Sequence, residues 1–173
     1  LGLTGGVQVA VANGSWSADH LEHCSEVEIG LLRESMDMGY GGTVPVGLPG
    51  TSYFLGIPYA PGRALIDAGL PFAMATDFNP GSSPIASLQV VWALGCTQQK
   101  LLPAEGFYAV TCNAARALRC EKEVGGGGGG GGPPPPPPQK KKKKKQKQQK
   151  QKQTKKKQAR TTHSKPPTTD GGG

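Results

Sequence analysis

The sequence lacks the marks of several common classes. Its four cysteines, Cys24, Cys96, Cys112 and Cys120, form no CxxC pair and have no histidine at zinc-finger spacing, which excludes the usual structural zinc modules. Scattered in this way, they read as reduced thiols of a cytoplasmic protein. No apolar run approaches the ~20 residues that a membrane helix needs, and no secretory signal is apparent, so no membrane partner is expected. From Pro133 onward there is not one aromatic side chain to stack on a base, which argues against specific nucleic-acid recognition.

The 173 residues are of two kinds. Gly125 to Gly132 is an unbroken glycine run, Pro133 to Pro138 an unbroken proline run, and Lys140 to Lys145 opens a Lys/Gln mixture. Such a stretch cannot bury enough apolar surface to offset its ordering entropy, so 125–173 is expected to be a disordered tail. Residues 1–124 have ordinary globular composition and form one modest domain. The formal charge of +8 hides the same division. Residues 133–173 carry thirteen lysines and one arginine against a single aspartate, whereas residues 1–132 carry six basic against eleven acidic side chains. The tail alone is basic and would attract polyanions non-specifically. A non-enzymatic, truncated product acting through that tail is therefore the alternative reading of the chain.

Along the globular part, apolar patterning alternates strand and helix. Ser15–Ala18 is a short strand running into Asp19-His20-Leu21-Glu22-His23. Ser25 and Glu28 form a capping box, and Ile29, Leu32 and Met36 make a helical stripe behind it. Thr43 to Gly50 is β-branched, but Pro45, Gly47 and Pro49 make it a poor central strand. A short helix over 61–68 closes at Gly69, and Leu70–Ala75 reads as a buried strand. A helix is expected from Pro84 to about Gln98, capped by Ser83 and facing the core with Ile85, Leu88, Trp92 and Cys96. A last helix from Pro103 carries Phe107, Val110, Thr111, Ala114 and Leu118, with Leu102 where a capping Ser or Thr belongs. This order argues for an α/β fold of parallel βα units.

Two stretches carry chemical potential. The strand ending near Ala75 leads to Asp77 and then to the turn Asn79-Pro80-Gly81. A carboxylate at such a strand end is where α/β enzymes keep their chemistry, although an Asp before a turn also serves commonly as an Asx-turn residue. In the earlier stretch, His20 can polarise a carbonyl or move a proton near neutral pH. His23 and Glu22 read as loop or helix-start charges.

Ser17-Ala18-Asp19-His20-Leu21-Glu22-His23 and Ala75-Thr76-Asp77-Phe78-Asn79-Pro80-Gly81-Ser82-Ser83-Pro84 resemble two signature stretches of the imidazolonepropionases, amidohydrolase-superfamily enzymes of histidine breakdown. Val46 to Gly50, Ala64 to Gly69 and Ala109 to Leu118 resemble the segments that accompany them, so that the resemblance spans about residues 5–125. Other amidohydrolases share the aspartate, but not Asn79-Pro80-Gly81 after it. The resemblance implies a partial (β/α)8 TIM barrel of the metal-dependent hydrolase type, comprising about the last three βα units. It implies hydrolysis of the ring amide of 4-imidazolone-5-propanoate to N-formimidoyl-L-glutamate by water activated on one divalent ion, Zn or Fe. Asp77 would be the metal ligand and proton carrier, His20 would stabilise the oxyanion, and Asn79, Gly81 and Ser82 would hold the small-molecule ligand. The family's remaining metal ligands have no counterpart in this sequence. The chain is thus expected to be a C-terminal fragment, inactive alone, of a parent whose candidate assembly is a homodimer.

Overall fold

The computed structural model describes residues 5–125; the expected tail beyond Gly125 lies outside them. Three parallel strands, β1 (Ser17–Asp19), β2 (Val44–Gly47) and β3 (Ala73–Met74), form a sheet in the order β1-β2-β3. Seven helices, α1 (Gly6–Ala12), α2 (Glu26–Ser35), α3 (Pro49–Leu55), α4 (Gly62–Asp67), α5 (Leu88–Gln98), α6 (Pro103–Val110) and α7 (Cys112–Ala117), complete the described residues. The expected α/β alternation with parallel pairing is present.

β2 corrects the reading from propensity, because it is the central strand and is buried at every position. Full burial is what a parallel strand covered on both faces requires. Pro45 is tolerated through register. The Val44 N–H donates to the Trp16 carbonyl on the β1 side, so alternation turns the nitrogen of Pro45 towards β3. There the pairing begins only at Val46 opposite Ala73, and the donor that proline lacks falls before the ladder starts. Gly47 is required by packing: a Cβ there would sit 2.5 Å from Phe72 Cζ.

α2 begins at the capping box expected for it. The Ser25 N–H donates to Glu28 Oε2 at 2.8 Å, and the Val27 N–H donates to Ser25 Oγ at 3.3 Å. Its stripe is also as read, with Ile29 and Leu32 buried and Met36 packed against the core. α5 differs. It starts at Leu88 with Ser87 as its cap, and it buries Val91 and Gly95 rather than Leu88, which is exposed. Gly95 is pressed on Met74, where an added Cβ would lie 2.5 Å from the sulfur, so a glycine and not a large side chain meets the sheet.

The expected last helix is two helices, α6 and α7, separated at Thr111 (φ −124°, ψ −90°). Gly106, Ala109, Ala115 and Ala117 face inward, while Phe107 and Leu118 are exposed. The missing cap at Leu102 is offset by Glu105, whose carboxylate accepts the Leu102 N–H at 2.8 Å and the Arg63 guanidinium at 2.7 and 3.1 Å. Burial pushes the Glu105 carboxyl up, but Arg63 and the Leu102 N–H outweigh it and hold it below the usual range. The core gathers Val7, Leu21, Leu32, Leu65, Phe72, Met74 and Val91 around the sheet. All four cysteines are free, and no helix among the described residues is long and apolar enough to cross a membrane.

Candidate active site at the strand ends

Parallel pairing places the C-terminal ends of β1, β2 and β3 on one edge of the sheet, and the candidate residues follow those ends. His20 comes directly after β1. Asp77 comes three residues after β3. With one strand between them, their backbones are separated by two strand spacings, roughly 10 Å. The side chains close that gap over the end of β2, bringing His20 Nε2 to 3.7 Å from Asp77 Oδ2. Half the His20 side chain remains exposed, and Asp77 is more enclosed.

Both residues adopt the left-handed backbone conformation, φ 55° at His20 and φ 49° at Asp77. Left-handed non-glycine residues are uncommon and gather at sites whose surroundings over-determine them. At Asp77 those surroundings are visible. The buried Thr51 of α3 donates its hydroxyl to Asp77 Oδ2 at 2.8 Å. Asn79 Nδ2 donates to the Asp77 carbonyl at 2.7 Å. The Thr51 and His20 contacts to the carboxylate both fall on Oδ2.

The loop after Asp77 is built on Asn79. Its Oδ1 accepts from the Gly81 N–H at 3.0 Å, from the Ser82 N–H at 2.8 Å and from the Ser82 hydroxyl at 3.1 Å. Asn79 and Ser83 exchange backbone hydrogen bonds of 3.0 and 3.2 Å that close the turn. Ser83 is therefore not a helix cap. It is fully buried, donates its hydroxyl to the Thr76 carbonyl at 2.7 Å and packs against Gly50 at the start of α3. Gly81 is exposed, with no positive φ, and only Asn79 Oδ1, at 3.4 Å, lies near where its Cβ would be. Asn79, Gly81 and Ser82 thus form one preorganised turn beside Asp77.

Two participants escape the sequence reading. Thr51 lies on α3, a helix hidden because Leu48 offers no side-chain cap; its one signal is Pro49 at the first helical position. Glu22, read as a loop charge, instead has a side chain only 8% exposed, with Oε1 3.5 Å from His20 Nδ1.

The donor set for a metal ion is incomplete. Among the described residues no group of three His, Cys, Asp or Glu side chains is placed to hold one, and catalytic ions generally need at least that many protein ligands. Asp77 can be one ligand and no more of the set is supplied with it.

No family model matches the chain. Curated relatives do. It is 44% identical over 114 residues to an imidazolonepropionase of Christiangramia forsetii, a match covering 66% of this chain and 26% of that protein. It is 48% identical over 121 residues to the imidazolonepropionase of Rubrobacter xylanophilus, covering 70% and 28%, and 44% identical over 120 residues to that of Brevibacillus brevis, covering 69% and 27%. The chain therefore spans about a quarter of the length of the relatives it matches. Among solved structures, a zinc-bound adenosine deaminase from Xanthomonas campestris superposes with a TM-score of 0.56 at 25% identity, over 63% of this chain and 25% of that one.

Proposed function

We propose that this chain, a relative of the imidazolonepropionases over two thirds of its length, forms about the last three βα units of a metal-dependent hydrolase (β/α)8 barrel. The complete enzyme would hydrolyse the ring amide of 4-imidazolone-5-propanoate to N-formimidoyl-L-glutamate. The observation that carries the reading is the meeting of His20 and Asp77, 3.7 Å apart, from the ends of two strands that are not neighbours. The 56 intervening residues keep the two apart in sequence, and only the parallel sheet unites them.

In the reaction, the oxygen of water bonds to the ring carbonyl carbon and the ring C–N bond breaks. Asp77 takes a proton from the attacking water and returns it to the departing nitrogen. Thr51 holds Oδ2 while this happens, leaving Oδ1 as the working atom. His20 presents Nε2 to the carbonyl oxygen on which negative charge builds. The Asn79–Ser82 turn holds the polar groups of substrate and product. The reading calls for one divalent ion, Zn or Fe, whose chemistry is to lower the pKa of water. Asp77 is the one ligand these residues offer it, so the chain by itself would be inactive. The four free thiols support a reducing, cytoplasmic setting.

The test is product formation by the complete enzyme. Asp77→Ala and Asp77→Asn, both folded, should abolish release of N-formimidoyl-L-glutamate. Retained turnover in either variant would reject the assignment.

A further inference from the structure

α5 has no polar face. Between Leu88 and Gln98 only Gln89, Thr97 and Gln98 are polar, and none of the residues is charged. A helix that is apolar all round is ordinarily covered all round. Here β3, α3 and α6 pack against it and bury Val91 and Gly95. Val90 and Ala93 lie opposite those two around the helix and are exposed, as is Leu88. The neighbouring α3 is similar: Tyr53 is 62% and Phe54 50% exposed, and Leu55 and Ile57 extend the same apolar run. No Asp, Glu, Lys, Arg or His occurs between Asp37 and Arg63 or between Asp77 and Lys100, so α3 and α5 bring no charged side chain to the surface they share.

We propose that the joined outer faces of α3 and α5 are the surface on which a second copy of this chain docks, as a two-fold pair. The area fits. The exposed parts of Tyr53, Phe54, Leu55, Ile57, Leu88 and Val90 amount to roughly 500 Å² per copy, most of the ~800 Å² that each partner gives to a stable interface. A monomer seldom leaves so large an apolar patch open to water. The absence of charge selects the partner. In a two-fold contact the patch meets itself, so any charge near the axis would face its own copy. A nucleic acid or a charged protein would find nothing here to pair with. Elements that extend the parallel sheet join at the free edges of β1 and β3, whereas the side of α5 carrying Val90 and Ala93 faces away from the sheet. Docking of this kind asks nothing of His20 or Asp77, so it stands or falls apart from the proposed reaction.

The test is the mass in solution of the full 173-residue chain, by sedimentation equilibrium at tens of micromolar. A reducing buffer keeps the four free cysteines from linking chains, and about 0.5 M salt screens charge attraction between them to within a few ångströms. The unsubstituted chain should have twice the mass of one copy. Tyr53→Glu and Val90→Glu should each sediment as single chains, because docking would bury the new charge against its own copy. Val27→Glu alters a more exposed apolar residue, on α2, and should remain a dimer. A single-chain mass for the unsubstituted chain overturns the proposal. So does a dimer that survives both Tyr53→Glu and Val90→Glu, which would place association at the open sheet edges, and so does one that Val27→Glu also dissolves. Tyr53 and Val90 are exposed in the single chain, so the new carboxylates are hydrated there and circular dichroism should show the fold kept. Should either variant fail to fold, Val90→Ser decides in its place. It should raise the dissociation constant about tenfold, and an unchanged constant counts against the docking face.

Discussion

The hydroxyl of Thr51 donates to Asp77 Oδ2 at 2.8 Å, joining the first turn of α3 to the loop that follows β3. Thr51 is 2% exposed and its hydroxyl cannot turn to solvent. The bond selects one carboxylate oxygen and helps hold the left-handed backbone at Asp77. Thr51→Val keeps the shape and removes the donor. It should cost about 1 kcal/mol of stability, the net worth of one such bond. Turnover by the complete enzyme should fall roughly tenfold or more, as for groups that orient a metal-site ligand. Thr51→Ser should restore most of both. Equal activity in the valine and serine variants would remove Thr51 from the site.

Gly81 and Gly47 make a contrasting pair. Gly81 is exposed, free of positive φ, and has room for a methyl group. Gly81→Ala should leave the melting temperature of the chain unchanged, yet raise KM of the complete enzyme severalfold with little change in kcat, because the methyl group would occupy the approach to the Asn79 turn. At Gly47 a Cβ meets Phe72 at 2.5 Å and Gln99 at 3.0 Å, so Gly47→Ala should destabilise by about 1–3 kcal/mol through overpacking. Thermal unfolding of the two variants side by side distinguishes ligand-facing from packing glycines. A destabilised Gly81→Ala would contradict the open space seen there.

Much of this was legible in the residues, and the failures have physical causes. The strand-end positions of His20 and Asp77 and the turn at Asn79 were readable because they are local sequence patterns, and the capping box of α2 because Ser25 and Glu28 contact each other three residues apart. β2 looked wrong for a central strand because propensity does not know register, which is what excuses Pro45. The inward face of α5 was misread because Gly95, invisible to a hydrophobic pattern, is the residue that fits against Met74. Thr51 was missed because tertiary structure brings Asp77 to it, and Glu22, two residues from His20, because its burial does not show in the sequence. Burial of Glu22 and the position of Thr51 above the sheet edge are properties of the fold.

Glu28 gives the chain a defined response to acid. Its carboxylate accepts from the Ser25 hydroxyl and N–H and from Gln8 Nε2 at 3.2 Å, which holds its pKa down to about 2 from 4.5. A carboxylate depressed on folding contributes stability above its unfolded pKa and loses it as pH falls through the folded value. The contribution of Glu28 should therefore be complete above about pH 4.5 and vanish by about pH 2. Glu28→Gln should be less stable than the parent at neutral pH, and the two unfolding curves should converge across that window. Parallel curves down to the acid limit would assign the acid response to other groups.

Lys100 shares the left-handed backbone of His20 and Asp77, with φ 62°, but no site explains it. It follows Gln99, the C-cap of α5, at a position where helices favour glycine. The conformation serves the chain reversal, since the next residue, Leu101, donates its N–H back to the Gly95 carbonyl at 3.3 Å and buries its side chain. The Lys100 side chain is exposed, and among the described residues its ammonium donates to the Thr97 carbonyl. A Cβ in this conformation costs roughly 1–2 kcal/mol, of which glycine's larger unfolded-state entropy returns about half. Lys100→Gly should therefore stabilise the chain by about 1 kcal/mol and leave the activity of the complete enzyme untouched. At His20 and Asp77 no substitution should do both if, as proposed, the same strain orients the reacting groups. Chemical denaturation of Lys100→Gly, read beside turnover, separates the two kinds of left-handed residue; an unchanged or lowered midpoint would show that the turn at Lys100 carries no strain to relieve.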